Sequence, residues 1–234
     1  MEKIEHFKTI KEENQEEIIE KKSKFIANIF PAETVEQAEE IIKETKKKYF
    51  DARHNCVSYR IIQENQIIEK SSDDGEPSGT AGAPMLNILQ KNNLANIVVI
   101  VTRYFGGILL GTGGLVRAYS DSLLKAISTS KIVEKELGEE LEAILDYNNF
   151  EIFKYYCKNN NIKIINIEYG EHVVCKIELK EEKKVNLMRD YETKKLNLKN
   201  IRIISKKYIE KCIWKRVFYK KQWKKLPKSY IMNL

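Results

Sequence analysis

Residues 101–119 read VTRYFGGILLGTGGLVRAY, and the fold of the surrounding chain turns on how this stretch is understood. An apolar run, Ile97–Val101, leads into it, five glycines from Gly106 to Gly114 occupy nine positions, and an amphipathic run follows. NIVVIVTRYF (96–105) is β-branched and continuously apolar at its start, which suits a central strand buried on both faces. Leu115, Ala118, Leu123, Ala126 and Ile127 recur at helical spacing and predict a helix over 115–130. Two nucleotide motifs come close and fail. Gly106-x4-Gly111 has the spacing of a P-loop, but Thr112 stands where the phosphate-binding lysine belongs. A GxGxxG pattern begun at Gly111 meets Val116 in place of its third glycine. A nucleotide cradle is therefore disfavoured. Two readings stay open: a tight turn that needs glycine backbone freedom, or a turn whose amides and helix start face an anion between Arg103 and Arg117.

Upstream, KFIANIF (24–30) predicts a strand, Glu33–Phe50 a helix, and CVSYRII (56–62) and QIIEK (66–70) a strand pair turning at Glu64 and Asn65. SSDDGEPSGTAGAP (71–84) has the composition of a loop, and Met85–Gln90 of a short helix. Eight of the ten glycines lie between Gly75 and Gly114, so they serve these two loops rather than linkers. Asp73, Asp74 and Glu76, beside Ser78 and Thr80, offer oxygens for a divalent cation or for the amides of their own turn. The EF-hand pattern is absent, the local role is preferred, and no metal is expected. His54, in DARHNC, has no catalytic motif around it and is assigned a hydrogen-bonding role.

Downstream, the charged segment 131–140 marks an expected domain boundary. Beyond it ELEAILDY, NFEIFKYYCKNN, IKIINIEYG, HVVCKIELK, EEKKVNLMRDYETKK and NLKNIRIIS follow the order β-α-β-β-α-β, a ferredoxin-like unit. The expected division is 1–135, 136–205 and a basic aromatic tail, 206–234.

The formal net charge of +7 is uneven. Residues 199–234 hold 12 of the 41 Lys and Arg and one of the 34 acids, Glu210, so the body is mildly acidic and the tail strongly basic. Trp214, Lys215, Arg216, Lys220, Lys221, Trp223, Lys224 and Lys225 interleave cations with rings, as a single-stranded nucleic acid would require, and a solvated, partly disordered end is the equal alternative. Four cysteines without a CxxC pair argue against a zinc site or a disulfide framework and for a reduced, cytoplasmic protein. The first 25 residues lack the apolar core of a signal peptide, and no apolar run is long enough to span a bilayer, so no membrane partner is expected.

Four stretches, KSKFIA (22–27), ARHNCVSYRI (52–61), SSDDGEPSGTAGAPML (71–86) and VTRYFGGILLGTGGLVRAYSDSL (101–123), together resemble the IMPACT/YigZ family. The resemblance implies an α+β, two-domain protein. Its N-terminal α/β domain is similar to domain IV of elongation factor G, and its C-terminal ferredoxin-like domain to domain V. It singles out Arg53, His54, Asp73, Asp74, Glu76, Ser78, Thr80, Arg103, Gly106, Gly107, Gly113, Gly114 and Arg117 as binding residues, none catalytic. Eukaryotic relatives regulate translation during amino-acid starvation by competing for the activator of a kinase, a role not carried over here. The expectation is a non-enzymatic, translation-associated regulator that binds RNA, the ribosome or a translation factor. It would use no cofactor and show no DNA sequence specificity. The alternative is a metal-dependent enzyme acting on a phosphorylated small molecule or nucleotide, with the acidic loop, His54, Arg103 and Arg117 in one pocket.

Overall fold

The computed structural model describes residues 4–63 and 66–211; the turn expected at Glu64 and Asn65, and the aromatic and basic tail residues Trp214 to Lys225, lie outside the described residues. The chain runs β1 (His6–Ile10), β2 (Asn14–Glu20), β3 (Ser23–Pro31), α1 (Val35–Lys48), β4 (His54–Gln63), β5 (Gln66–Ser72), α2 (Gly82–Lys91), β6 (Ile97–Tyr104) and α3 (Thr112–Thr129). It continues through β7 (Ile132–Leu145), α4 (Tyr147–Asn159), β8 (Lys163–Tyr169), β9 (Val173–Leu179), α5 (Glu181–Glu192) and β10 (Asn200–Glu210).

The N-terminal sheet has the order β2-β3-β6-β4-β5, antiparallel throughout. Strand β6 sits at its centre with helices on both faces, which explains the unbroken apolar run. Val99 and Val101 pack with α2 and α3, while Val98 and Ile100 pack with α1. Helix α1 starts where Thr34 accepts a hydrogen bond from the Gln37 amide, and it ends on Lys46, Lys47 and Lys48, where cations suit the helix dipole.

The second sheet has the order β10-β7-β9-β8, the ferredoxin-like arrangement, with α4 and α5 over the face of Leu141, Ala143, Cys175 and Ile177. Two features depart from the sequence reading. The segment 131–140, expected as a connector, is strand from Ile132 onward, and its first part pairs with β1. The polar N-terminus, to which the sequence reading assigned no element, forms β1 and β2. Strand β1 is also held to the N-terminal domain: the Lys8 amide donates to the Asn93 carbonyl, and the Ala95 amide to the Lys8 carbonyl. Phe7 is buried edge-on to Tyr208 with ring centroids 5.0 Å apart, so the junction between the domains has its own small core. No helix among the described residues is long and apolar enough to cross a membrane.

Candidate functional site

The strand pairings bring all the signature loops to one end of the N-terminal sheet. His54 opposes Arg103, Arg103 opposes Phe25, and Val57 opposes Ser72. The β2–β3 turn, the loop before β4, the acidic loop after β5 and the glycine loop after β6 therefore emerge together.

The three neighbouring acids of the acidic loop meet three different fates. Asp73 turns back on its own segment: Oδ1 accepts from the amides of Ala81 and Gly82 at 2.9 and 2.8 Å, and Oδ2 from Gly79 at 2.8 Å. Burial works against its charge, but the three amide hydrogen bonds prevail and hold its carboxyl below the ordinary aspartate value. Asp74, in the left-handed region at φ 47°, pairs with Lys46 at 2.6 Å and accepts from the Asn55 amide at 2.7 Å. Glu76 points inward and is 8 % exposed. Its Oε1 accepts from Arg103 Nη1 at 2.7 Å and from the Tyr119 hydroxyl at 2.8 Å.

Arg103 is itself only 6 % exposed. The Phe25 and Phe105 rings flank its guanidinium, each centroid 5.5 Å away. Arg103 Nη2 reaches Ser23 Oγ at 3.5 Å, the outer limit of a hydrogen bond, and that hydroxyl also accepts from the Gly106 amide at 3.2 Å. His54 Nδ1 lies 2.9 Å from the Asp74 carbonyl, which only accepts, so Nδ1 carries the hydrogen. Its Nε2 is 3.9 Å from Glu76, too far for a direct hydrogen bond. Burial pushes the neighbouring Cys56 thiol up to about 12, which leaves it inert as a nucleophile.

Of the two readings of the glycine turn, the one with an anion beside Arg103 finds that guanidinium already paired, since Glu76 meets its charge inside the domain. Arg117 does not join it. Tyr119 turns inward, and a residue two positions earlier on a helix lies about 200° away, so Arg117 is exposed, with Asp121 as its charged neighbour. Thr80 is buried and donates to the Pro77 carbonyl at 2.6 Å, whereas Ser78 and Arg53 are exposed. Gly113 and Gly114 form the first turn of α3, and Gly107 lies exposed in the loop before it. Gly106 is required by close approach: a Cβ there would lie 2.0 Å from the Lys22 carbonyl carbon and oxygen. The alternative pocket of converging acids is not assembled, because Asp73 and Asp74 are spent on amides and Lys46. Among the described residues no group of three or more His, Cys, Asp or Glu is arranged to hold a metal ion.

Sequence reasoning missed Ser23, Phe25, Cys56 and Tyr119 as members of this cluster. All four stand inside the matching stretches, but only the strand register and the packing of α3 bring them to Glu76 and Arg103. On its outer side the loop end exposes Phe50, Phe105, Ile108 and Leu109, Leu109 to 83 %.

The Impact N-terminal domain matches residues 21–127, and a domain of unknown function matches residues 144–190. The IMPACT family member YvyE of Bacillus subtilis is 38% identical over 206 residues, covering 88% of this chain and 94% of that protein. YigZ of Escherichia coli is 36% identical over 160 residues, 68% of this chain and 78% of that protein. A crystal structure described as that of a hypothetical protein is 29% identical, with TM-score 0.58, covering 86% of this chain and 98% of its own. Rat Protein IMPACT matches over 40% of this chain but only 30% of its own length, at 35% identity. With a relative this similar along nearly its whole length, and the family's N-terminal domain laid over all four signature loops, the chain belongs to the IMPACT family.

Proposed function

We propose that this protein is a non-enzymatic, cytoplasmic regulator associated with translation, which works by binding RNA, the ribosome or a translation factor through the loop end of its N-terminal domain. One observation carries the reading: the two buried charges of the signature loops, Glu76 and Arg103, neutralise each other inside the domain, while Asp74 pairs with Lys46 of α1 nearer the surface. They tie the acidic loop to the end of β6 and to α1. Family membership supports the link to translation, since the resemblance implies a regulatory role for its eukaryotic members. The second domain offers a less suitable surface for single-stranded RNA, because the helix-free face of its sheet is laid with ion pairs. Arg202 meets Glu142 at 2.7 Å, and Lys207 meets both Glu140 and Glu178.

The test is sedimentation of the purified protein with ribosomes and a translation extract at low salt. Three forms are compared: the full chain, the chain carrying Phe105→Ser and Leu109→Ser, and the chain ended at Lys211. Association of the full chain that is lost in the loop variant supports the reading. A full chain that associates with neither ribosomes, RNA nor a translation factor sinks it. The third form measures how much of any RNA affinity belongs to the basic tail.

A further inference from the structure

The loop end exposes apolar side chains and cations, and most of its acids are engaged by hydrogen bonds or ion pairs. Leu109 and Phe50 are 83 % and 84 % exposed, and Phe105 and Ile108 lie between half and three-fifths buried. Their loops emerge at the same end of the sheet. The Tyr104 hydroxyl donates to Asp51 at 2.8 Å, which ties the loop of Phe50 to the end of β6, one residue before Phe105. The Gly106 backbone lies against Lys22, which ties the glycine loop to the β2–β3 turn. That turn presents Lys21 and Lys22, and the loop before β4 presents Arg53. All three are exposed, and none forms an ion pair among the described residues. On the acidic side, Asp51 is bound to Tyr104, Asp73 to amides, Asp74 to Lys46 and Glu76 to Arg103, which leaves Glu20 exposed in the same turn and Asp121 of α3 near it, beside Arg117.

An exposed apolar centre with unpaired cations around it is the anatomy of a protein-docking surface. Nucleic-acid interfaces are more polar and place cations at their centre, and aliphatic side chains such as Leu109 and Ile108 do not stack on bases. We propose that this end of the N-terminal sheet docks an acidic protein segment that brings apolar side chains of its own, received by Leu109, Ile108, Phe105 and Phe50 and steered by Lys22 and Arg53. The inference rests on the binding reading above and narrows its partner from RNA or protein to an acidic polypeptide. The buried Glu76–Arg103 pair then acts as a positioning element, since the Arg103 guanidinium supports the Phe105 ring from beneath.

The test places the photo-crosslinking residue p-benzoylphenylalanine at position 109 of the full chain and irradiates it in a bacterial translation extract. The same residue at Tyr155, exposed on α4 of the other domain, is the control. The expected adduct is specific to position 109, resists ribonuclease, is destroyed by protease, and maps by mass spectrometry to an acid-rich segment. Adding Lys22→Glu and Arg53→Glu should lower its yield about five-fold or more, as reversal of rim charges does, while the circular dichroism spectrum is unchanged. An adduct destroyed by ribonuclease, one mapping to a segment without acids, or a yield indifferent to charge reversal overturns the proposal. Absence of any adduct overturns it too. Sedimentation of the same samples then shows whether the broader binding reading survives.

Discussion

Replacing Glu76 with leucine removes the carboxylate that faces the Arg103 guanidinium and leaves that cation enclosed, 6 % exposed, between Phe25 and Phe105. Removing one partner of a buried ion pair costs about 3–5 kcal/mol, because the other charge keeps its desolvation penalty and loses its counterion. Arg103→Met does the converse and strands the carboxylate of Glu76 with only the Tyr119 hydroxyl donating to it. In the double variant both charges are gone. What remains is a Tyr119 hydroxyl without its acceptor, worth about 1–3 kcal/mol, set against better apolar packing. The double variant should therefore be more stable than either single one, with a coupling of roughly 3 kcal/mol or more, at the upper end for residues in direct contact. A chain of this size shifts its midpoint by about 2–4 °C per kcal/mol, so Glu76→Leu should melt on the order of 10 °C below the wild type. Urea unfolding of the four proteins at pH 7, followed by far-ultraviolet circular dichroism, reads this cycle. A Glu76→Leu cost under about 1 kcal/mol, or single costs that simply add in the double variant, would refute the claim that the pair is a buried unit.

Other outcomes follow from the same geometry. The depressed acidity of Asp73 means that its carboxylate stabilises the fold above the unfolded value, near 3.8, and that this contribution is lost as pH falls through the lower folded value. Asp73→Asn should therefore be less stable at pH 7 yet lose less stability between pH 4 and the acid limit; parallel pH profiles of the urea midpoint would contradict this. Gly106→Ala forces a Cβ onto the Lys22 backbone and should cost about 2 kcal/mol or more. Gly113→Ala meets open space on a helix and should gain up to about 1 kcal/mol; thermal melts that move both in the same direction would defeat the argument. Phe7→Ala empties the small core at the domain junction and should cost about 3–5 kcal/mol, read as a lowered denaturant midpoint. A change below 1 kcal/mol would mean that β1 is not a working tie between the domains.

The elements that could be read from residues alone are those whose signal is local. The apolar run of β6 and the helical spacing of α3 each carry their own periodicity, and the strand–helix order after residue 140 names the ferredoxin-like arrangement without any long-range knowledge. The strands β1 and β2 escaped because HFKTI and NQEEIIE are short, largely polar edge segments, whose pairing with β7 and β3 is supplied by distant chain. The charged start of β7 looked like a connector for the same reason: its carboxylates are tolerated in a strand because lysines reach them, Lys180 meeting Glu136 at 2.6 Å and Lys184 meeting Glu139 at 2.8 Å.

In the candidate site, composition marked the right loops but not the division of labour within them. Asp73, Asp74 and Glu76 are chemically alike and almost adjacent, so nothing local separates a carboxylate that closes its own turn from one that enters the core. The left-handed backbone at Asp74 and Gly75 sends the chain around a corner, and only the pairing of β4 and β3 with β6, with α3 packed on the sheet, brings Arg103 and Tyr119 to Glu76 and Ser23 to Arg103. Where secondary structure was legible, as in β6 and α3, neighbours along the chain determined it. The neutralised interior of the loop end, and the apolar tip it leaves exposed, were decided by residues tens of positions apart, whose burial makes each charge depend on its partner.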